Sequence, residues 1–149
     1  MKITGNISTV LNRKGGGVWS ISPDATVFEA IQMMADKNVG ALLVMAGPKL
    51  AGLITERDYT RNIALKGKSS RETKVREIIS SQLVTVTPEH NVEECMRLMT
   101  EHRVRHLPVL QNEMVIGVVS IGDLVNWTIS AQSVALEQME HYITGVYPG

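Results

Sequence analysis

The chain repeats itself. Residues 18–63 align with residues 83–128 without a gap, at a constant offset of 65. Pro23, Val27, Glu29, Met34, Val39, Leu42, Val44, Gly52 and Asp58 recur as Pro88, Val92, Glu94, Met99, Val104, Leu107, Val109, Gly117 and Asp123. Most of the apolar positions between them stay apolar. Such a repeat outranks any local motif, because it means one supersecondary unit built twice. It predicts pseudo-symmetric packing, and a pocket in one copy predicts a counterpart in the other. At 149 residues the chain has about the length of one domain. Half of it, about 60 residues, would be marginal alone, so the halves are expected to share a core.

Each copy reads as strand, helix, strand, strand, helix. In the first, Val18 to Ser22 alternates like a strand and Pro23-Asp24 turns the chain. Thr26 with Glu29 has the spacing of a capping box. Val27, Ala30, Ile31 and Met34 then share one helical face. Asn38 and Gly40 end that helix. Ala41–Met45 and Leu50–Ile54 read as buried strands, joined through the turn chemistry of Ala46-Gly47-Pro48-Lys49. Thr55 begins a helix running to about Leu65. In the second copy, Val84–Thr87 is the first predicted strand, and Asn91 with Glu94 caps the helix. His106–Leu110 and Val115–Val119 are the paired strands, joined around Gln111-Asn112-Glu113, and Ser120 caps the last helix. The boundaries are 1–65 for repeat one (core 18–63, with an N-terminal lead-in) and 66–74 for a polar, solvated linker. Repeat two is 75–130 (core 83–128), and 131–149 is a C-terminal helical tail. Val75, Ile78 and Ile79 predict a short helix leading into repeat two, with Val10–Arg13 as its counterpart. The tail carries a partly apolar face, read either as packed on its own subunit or as a dimer contact.

Composition removes several classes. Lys plus Arg equals Asp plus Glu at fifteen each, so the global basic excess of a nucleic-acid binder is missing. No stretch approaches the ~20 apolar residues of a membrane span, and the first residues, without a sustained apolar run after Lys2, lead us to expect no signal peptide. Cys95 is the single cysteine, which excludes an intrachain disulfide. It falls on an apolar helix stripe, as a buried inert thiol would. A reducing cytoplasm fits best. Lys14 and the glycines after it lack the lysine and hydroxyl that follow a P-loop's last glycine, so they read as a plain, flexible loop. His90, His102 and His106 do not make a metal site: Val104 and Pro108 place a helix end between the last two, and no cysteine or carboxylate cluster completes a set.

With the copies laid out, the chain resembles a tandem CBS-domain pair, the Bateman module, standing alone. The family's glycine-ended strand followed by Thr or Ser and then Asp is present as Gly52-Leu53-Ile54-Thr55-Glu56-Arg57-Asp58 and as Gly117-Val118-Val119-Ser120-Ile121-Gly122-Asp123. Its Leu-Pro-Val strand is Leu107-Pro108-Val109; repeat one has Leu42-Leu43-Val44 there. The resemblance covers about residues 7–145. It implies an α/β (α+β) fold of two pseudo-symmetric β-α-β-β-α repeats packed through their sheets. It also implies a non-catalytic regulatory, signal-transduction module that senses AMP, ADP, ATP or NAD in clefts between the repeats. The expected partners are that nucleotide, a second copy in a homodimer, and a regulated protein, with no nucleic acid and no membrane. The alternative is a dimeric interaction or assembly module without a working ligand site.

The residues make the implied chemistry intelligible. A carboxylate takes charge-assisted hydrogen bonds from the two neighbouring hydroxyls of a ribose, and Asp58 and Asp123 follow a strand end by one helical turn. Thr55 and Ser120 begin their helices, whose free N–H groups attract phosphate. The same Thr55-x-x-Asp58 and Ser120-x-x-Asp123 spacings are also capping boxes, which stabilise a helix with no ligand; the two roles can coexist. Carried over from the family, the first adenine slot falls on Ser20, Ser22 and Thr26 with Val39, Gly40 and Ala41. The second falls on Thr85, Thr87 and Asn91 with Val104, Arg105 and His106. Arg57 and Arg61 lie beyond the first site. Near the second, the resemblance to a kinase gamma subunit is closest over Arg105-His106-Leu107-Pro108-Val109, where the family sets basic residues against phosphate, so Pro108 belongs to that set. Arg103 reads as a solvated helix end. Gly40-Ala41 stand where the second copy has Arg105-His106, and Arg57 is matched by Gly122, so the two sites should differ in phosphate preference.

Overall fold

Local rules place the helices. The computed structural model describes residues 5–15, 18–79 and 83–144; along the last helix the side chains at 133–135 and 140–144 lie outside that description. The second half of the glycine run and the last residues of the tail also lie outside it. Helix α2 (Val27–Lys37) starts where Thr26 Oγ1 accepts from Glu29 N–H at 3.1 Å. Helix α4 (Val92–His102) starts at a reciprocal box between Asn91 and Glu94. Each ends on a residue in the left-handed region, Asn38 (φ 55°) and Arg103 (φ 54°), a conformation that stops a helix. Their apolar stripes are buried: Val27, Ala30 and Met34 in one, Val92, Cys95 and Met99 in the other.

Strand β2 (Ala41–Ala46) pairs with β3 (Lys49–Thr55) in antiparallel fashion and with the short β1 (Ser20–Ile21) in parallel. In the second copy β4 (His106–Gln111) and β5 (Met114–Ser120) form a two-stranded sheet. Their connection has positive φ at both Asn112 (53°) and Glu113 (66°), as the tightest hairpin turns require. The predicted strand over 84–87 does not form; only an isolated bridge between Val86 and Val109 survives. The reason is Pro108. In repeat one, Leu43 N–H donates to the Trp19 carbonyl at 3.1 Å. Residue 108 is the repeat mate of Leu43, and proline has no N–H to give. Val86 N–H to the Pro108 carbonyl (3.0 Å) and Leu110 N–H to the Val86 carbonyl (2.8 Å) remain.

The lead-in segments depart from the 65-residue frame. Ile7 N–H bonds to the His90 carbonyl and Ser8 N–H to the Pro88 carbonyl, as Val75 N–H does to Ala25 and Arg76 N–H to Pro23. The partners are 65 apart, but Ile7 and Val75 are 68 apart. Ile7, Val10 and Leu11 therefore match Val75, Ile78 and Ile79, which corrects the alignment of Val10 with Val75. Helix α1 (Ile7–Lys14) carries the first set, and a single 3-10 turn at Val75–Glu77 begins the second. The linker is also more than a solvated connection: the carbonyls of Thr73 and Ser70 accept the first N–H groups of α2, from Val27 (2.9 Å) and Phe28 (3.0 Å), and Thr73 is buried.

Packing divides the chain into two compact units, and the division is not the sequential one. One holds Gly17–Thr85 with Asn112–Ile116; the other holds Met1–Gly16, Val86–Gln111 and Gly117–Gly149. The lead-in numbered with repeat one thus packs against elements of repeat two. In the first unit Val27, Met34, Leu42, Val44, Ile54, Ile63, Val75 and Ile78 form one apolar cluster. In the second Ile7, Val10, Val92, Cys95, Leu107, Val119 and Leu124 are buried. The strand glycines are steric requirements: a Cβ at Gly52 would come within 2.8 Å of Ile79 Cδ1, and one at Gly117 within 2.9 Å of Leu11 Cδ2. Helix α3 (Glu56–Tyr59) continues as a π turn over Thr60–Ala64, and helix α5 runs unbroken from Ile121 to Thr144.

Candidate functional site

The strand-to-helix junctions are built alike in both repeats. Asp58 Oδ2 accepts from Thr55 N–H (2.9 Å) and Thr55 Oγ1 (3.0 Å), and Asp58 N–H donates to Thr55 Oγ1 (3.1 Å). Asp123 Oδ2 accepts from Ser120 N–H (2.8 Å), and Asp123 N–H donates to Ser120 Oγ (3.1 Å). The capping role of both motifs is therefore real. It also orients each carboxylate, with Oδ2 taken and Oδ1 outside the box. The start of the middle strand is tied to the same junction. The Gly40 carbonyl accepts Glu56 N–H (3.1 Å), and the Arg105 carbonyl accepts Ile121 N–H (2.8 Å). The start of β2 thus lies against the start of α3, with Ala41 paired to Thr55, and Arg105 lies against the start of α5.

Those bonds correct one expectation. A phosphate attracted to these helix starts would find most of the first-turn donors used. Glu56 and Asp58 N–H are bonded, as are Ile121 and Asp123 N–H; among the described residues only Arg57 N–H and Gly122 N–H of these starts have no hydrogen bond. The hydroxyls and amides assigned to adenine are likewise engaged locally. Ser22 Oγ accepts from Asp24 N–H, Thr26 and Asn91 are helix caps, and Thr87 N–H donates to His90 Nδ1 at 3.0 Å. Ser20 is exposed on β1 and Thr85 lies outside any strand. No described hydrogen bond joins these six to the Asp58 or Asp123 junction. Arg57 and Arg61 are exposed on the helix after the first junction, Val104 is half-buried after α4, and Pro108 is buried in β4. Beside the first junction, Val39, Gly40, Met34, Glu56, Tyr59 and Thr60 line part of a cavity of about 550 Å³.

The second junction holds a cation that the sequence reading placed in a loop. Lys14, the last residue of α1, reaches Asp123 Oδ2 at 2.8 Å and the Val118 carbonyl at 2.9 Å. Two consecutive basic residues at the end of a short amphipathic segment were the available signal. Among the described residues, no cation pairs with Asp58. Burial raises the Asp123 carboxyl, but the Lys14 and Ser120 hydrogen bonds outweigh it, and the net pKa falls below its ordinary 3.8. Burial also pushes His106 down, and Lys14 and Arg105 push it further against an opposing pull from Asp123, so its pKa lies below 6.5. Burial raises the Cys95 thiol to about 11, consistent with inert packing. His102 and His106 are separated by the left-handed Arg103 that ends α4.

The His106 shift has a measurable sign. The folded state resists protonation that the unfolded state accepts, so this stability is complete above pH 6.5 and is lost as pH falls from there. Wild-type protein is expected to lose melting temperature between pH 7.5 and 5.5 more steeply than His106→Gln. Equal slopes for the two would exclude this origin.

Comparison with known proteins assigns the class. The CBS-domain family model matches residues 13–65 and 75–130. The chain belongs to the CBS-domain family, as a tandem pair, and CBS-domain pairs are regulatory modules. It is 43% identical over 150 residues to the CBS domain-containing protein CBSX3, mitochondrial, of Arabidopsis thaliana, covering 95% of this chain and 73% of that one. It is 32% identical over 137 residues to the CBS domain-containing protein YhcV of Bacillus subtilis, covering 91% and 97%. Among solved structures, the CBS-domain containing protein ATU1752 from Agrobacterium tumefaciens superposes with a TM-score of 0.78 at 31% identity, over 82% of this chain and 98% of that one. No helix among the described residues is long and apolar enough to cross a membrane.

Proposed function

We propose that the protein is a non-catalytic sensor of adenine nucleotides, AMP, ADP or ATP and by extension NAD, acting in the cytoplasm as a regulatory homodimer that a partner protein reads. One observation carries this reading. Both junctions present an aspartate whose Oδ2 is engaged in its own helix cap, and among the described residues no hydrogen bond reaches either Oδ1. A ribose hydroxyl is a fitting donor, and the charge-assisted bond would be stronger than a neutral one. The CBS-domain pair of protein MJ0100, crystallised with 5-methylthioadenosine and S-adenosyl-L-methionine, shares the fold at a TM-score of 0.72 and 19% identity. That likeness carries the fold alone; the paired carboxylates support a sugar diol, and the adenine-nucleotide class is what the family resemblance implies.

A second reading is an assembly module. Val125, Ile129, Leu136 and Met139 are 41–58% exposed along α5, an apolar surface that a second copy could cover. Calorimetry and thermal shift with AMP, ADP, ATP and NAD, on protein stripped of bound ligand, separate the two. Saturable heat and a raised melting temperature are expected with at least one nucleotide. Silence with all four, in protein that still forms dimers, refutes the sensor and leaves the assembly module. Binding shifts function only by its differential affinity for two states, so the partner's response must be measured with and without the ligand.

A further inference from the structure

The two junctions differ in what answers the carboxylate. Asp58 Oδ2 takes a bond from the Thr55 hydroxyl, a neutral donor, at 3.0 Å. Asp123 Oδ2 takes one from the Lys14 ammonium at 2.8 Å. Lys14 is not a freely swinging surface lysine. It closes the last turn of α1, and its Nζ also donates to the Val118 carbonyl at 2.9 Å. The helix behind it is fixed: Ile7 and Val10 are buried, and Leu11 leaves no room for a Cβ at Gly117. The packing of α1 therefore delivers the lysine to Asp123. Burial raises the Asp123 carboxyl, yet hydrogen bonds, that of Lys14 foremost, bring it below its ordinary value. A carboxylate binds a pair of hydroxyls strongly because it is charged, and at Asp123 that charge already has a partner.

We propose that Lys14 is a built-in competitor at the second junction: it holds the Asp123 carboxylate in the ligand-free protein, and a sugar diol must take that carboxylate from it. This rests on the sensor reading and adds a regulation of the same site. The apparent affinity of a site falls with the fraction of molecules in the competent state. The side chains of Lys14 and Asp123 are 38% and 20% exposed, so solvent screens the pair and its hold is modest, about three- to fivefold in favour of the closed state. The second repeat then fills at a ligand concentration higher by that factor than Asp123 alone would set. Asp58, which pairs with no cation among the described residues, carries no such threshold.

The test uses ligand-stripped protein carrying Asp58→Asn, so that only the second junction is read. Adenosine is the probe, because it carries the diol and no phosphate for a lysine to attract. Isothermal titration of this background with and without Lys14→Met should show adenosine bound about three- to fivefold more tightly once the lysine is gone. Lys14→Arg, which keeps a cation, should bind as the background does. Salt gives a second readout that a merely structural role would not move. Raising KCl from about 20 mM to about 500 mM screens the ion pair, so affinity for this uncharged probe should rise in the background and stay level in Lys14→Met. Adenosine affinity that is unchanged or weaker in Lys14→Met overturns the proposal and leaves the sensor reading standing, the lysine then being a spectator or an aid to binding. Where adenosine gives no heat, AMP takes its place and is read by the same criteria. Silence from both, in the background and in Lys14→Met alike, removes the sensor reading for this repeat and the proposal with it. Should Lys14→Met not fold, Lys14→Gln is read in the same way.

Discussion

Ile54→Ala is expected to destabilise the fold by about 2–5 kcal/mol, the cost of removing a large buried aliphatic side chain and leaving a cavity. Ile54 is fully buried on β3, opposite Leu42, within the apolar cluster of the first unit. Its neighbours come from α2, β2, β3 and the lead-in to repeat two, which leaves little freedom to collapse into the void. Total stability of a domain is about 5–15 kcal/mol, so this single change could consume a large part of it. Urea denaturation followed by far-ultraviolet circular dichroism reads the effect. Leu65→Ala is the control: Leu65 is 77% exposed, and a surface truncation costs about 0.5 kcal/mol or less. Equal losses in the two variants would show that the cluster is not the core.

The second large effect is expected in binding. Asp58→Asn with Asp123→Asn keeps an oxygen for each helix cap and removes both negative charges. Helix capping should survive, with a stability loss of about 1 kcal/mol or less per site. Hydrogen bonds to a charged group are worth about 1.5–3 kcal/mol, so each junction should lose about ten- to a hundredfold in nucleotide affinity. Each single variant should weaken one binding event and leave the other. Isothermal titration of the singles and the double reads this directly. A double variant that binds as tightly as wild type would separate the carboxylates from the ligand and leave them as caps.

The two predictions rest on features of unequal legibility. The buried stripes, the strand pair around Gly47, and the helix caps at Thr26, Asn91, Thr55 and Ser120 were all readable, because each depends on residues within a few positions of one another. The proline that marks the family's strand was readable too. Its structural effect was not, since the missing hydrogen bond belongs to a strand that is distant in sequence. Gly52 and Gly117 were visible as repeated glycines; the side chains of Ile79 and Leu11 pressing against them were not. The capping residues Thr26 and Asn91 were assigned to ligand as well as to helix, and the structure engages both in their caps. Lys14 was misread because loop chemistry around the glycines hid the end of a helix.

Periodicity, caps and the 65-residue repeat settled the helix and the strand pair of each copy, and the repeated Gly-to-Asp and Leu-Pro-Val motifs carried the resemblance to the family, because these are short-range patterns written along the chain; the first strand of the second copy is the exception. Tertiary structure alone decided which lead-in packs on which repeat, and that one acidic junction acquires a lysine while, among the described residues, the other pairs with no cation. Lys14 and Asp123 are 109 positions apart, and no local rule couples residues at that separation. Their meeting follows from α1 and α5 burying apolar faces in one core, which carries the charges at their ends into contact.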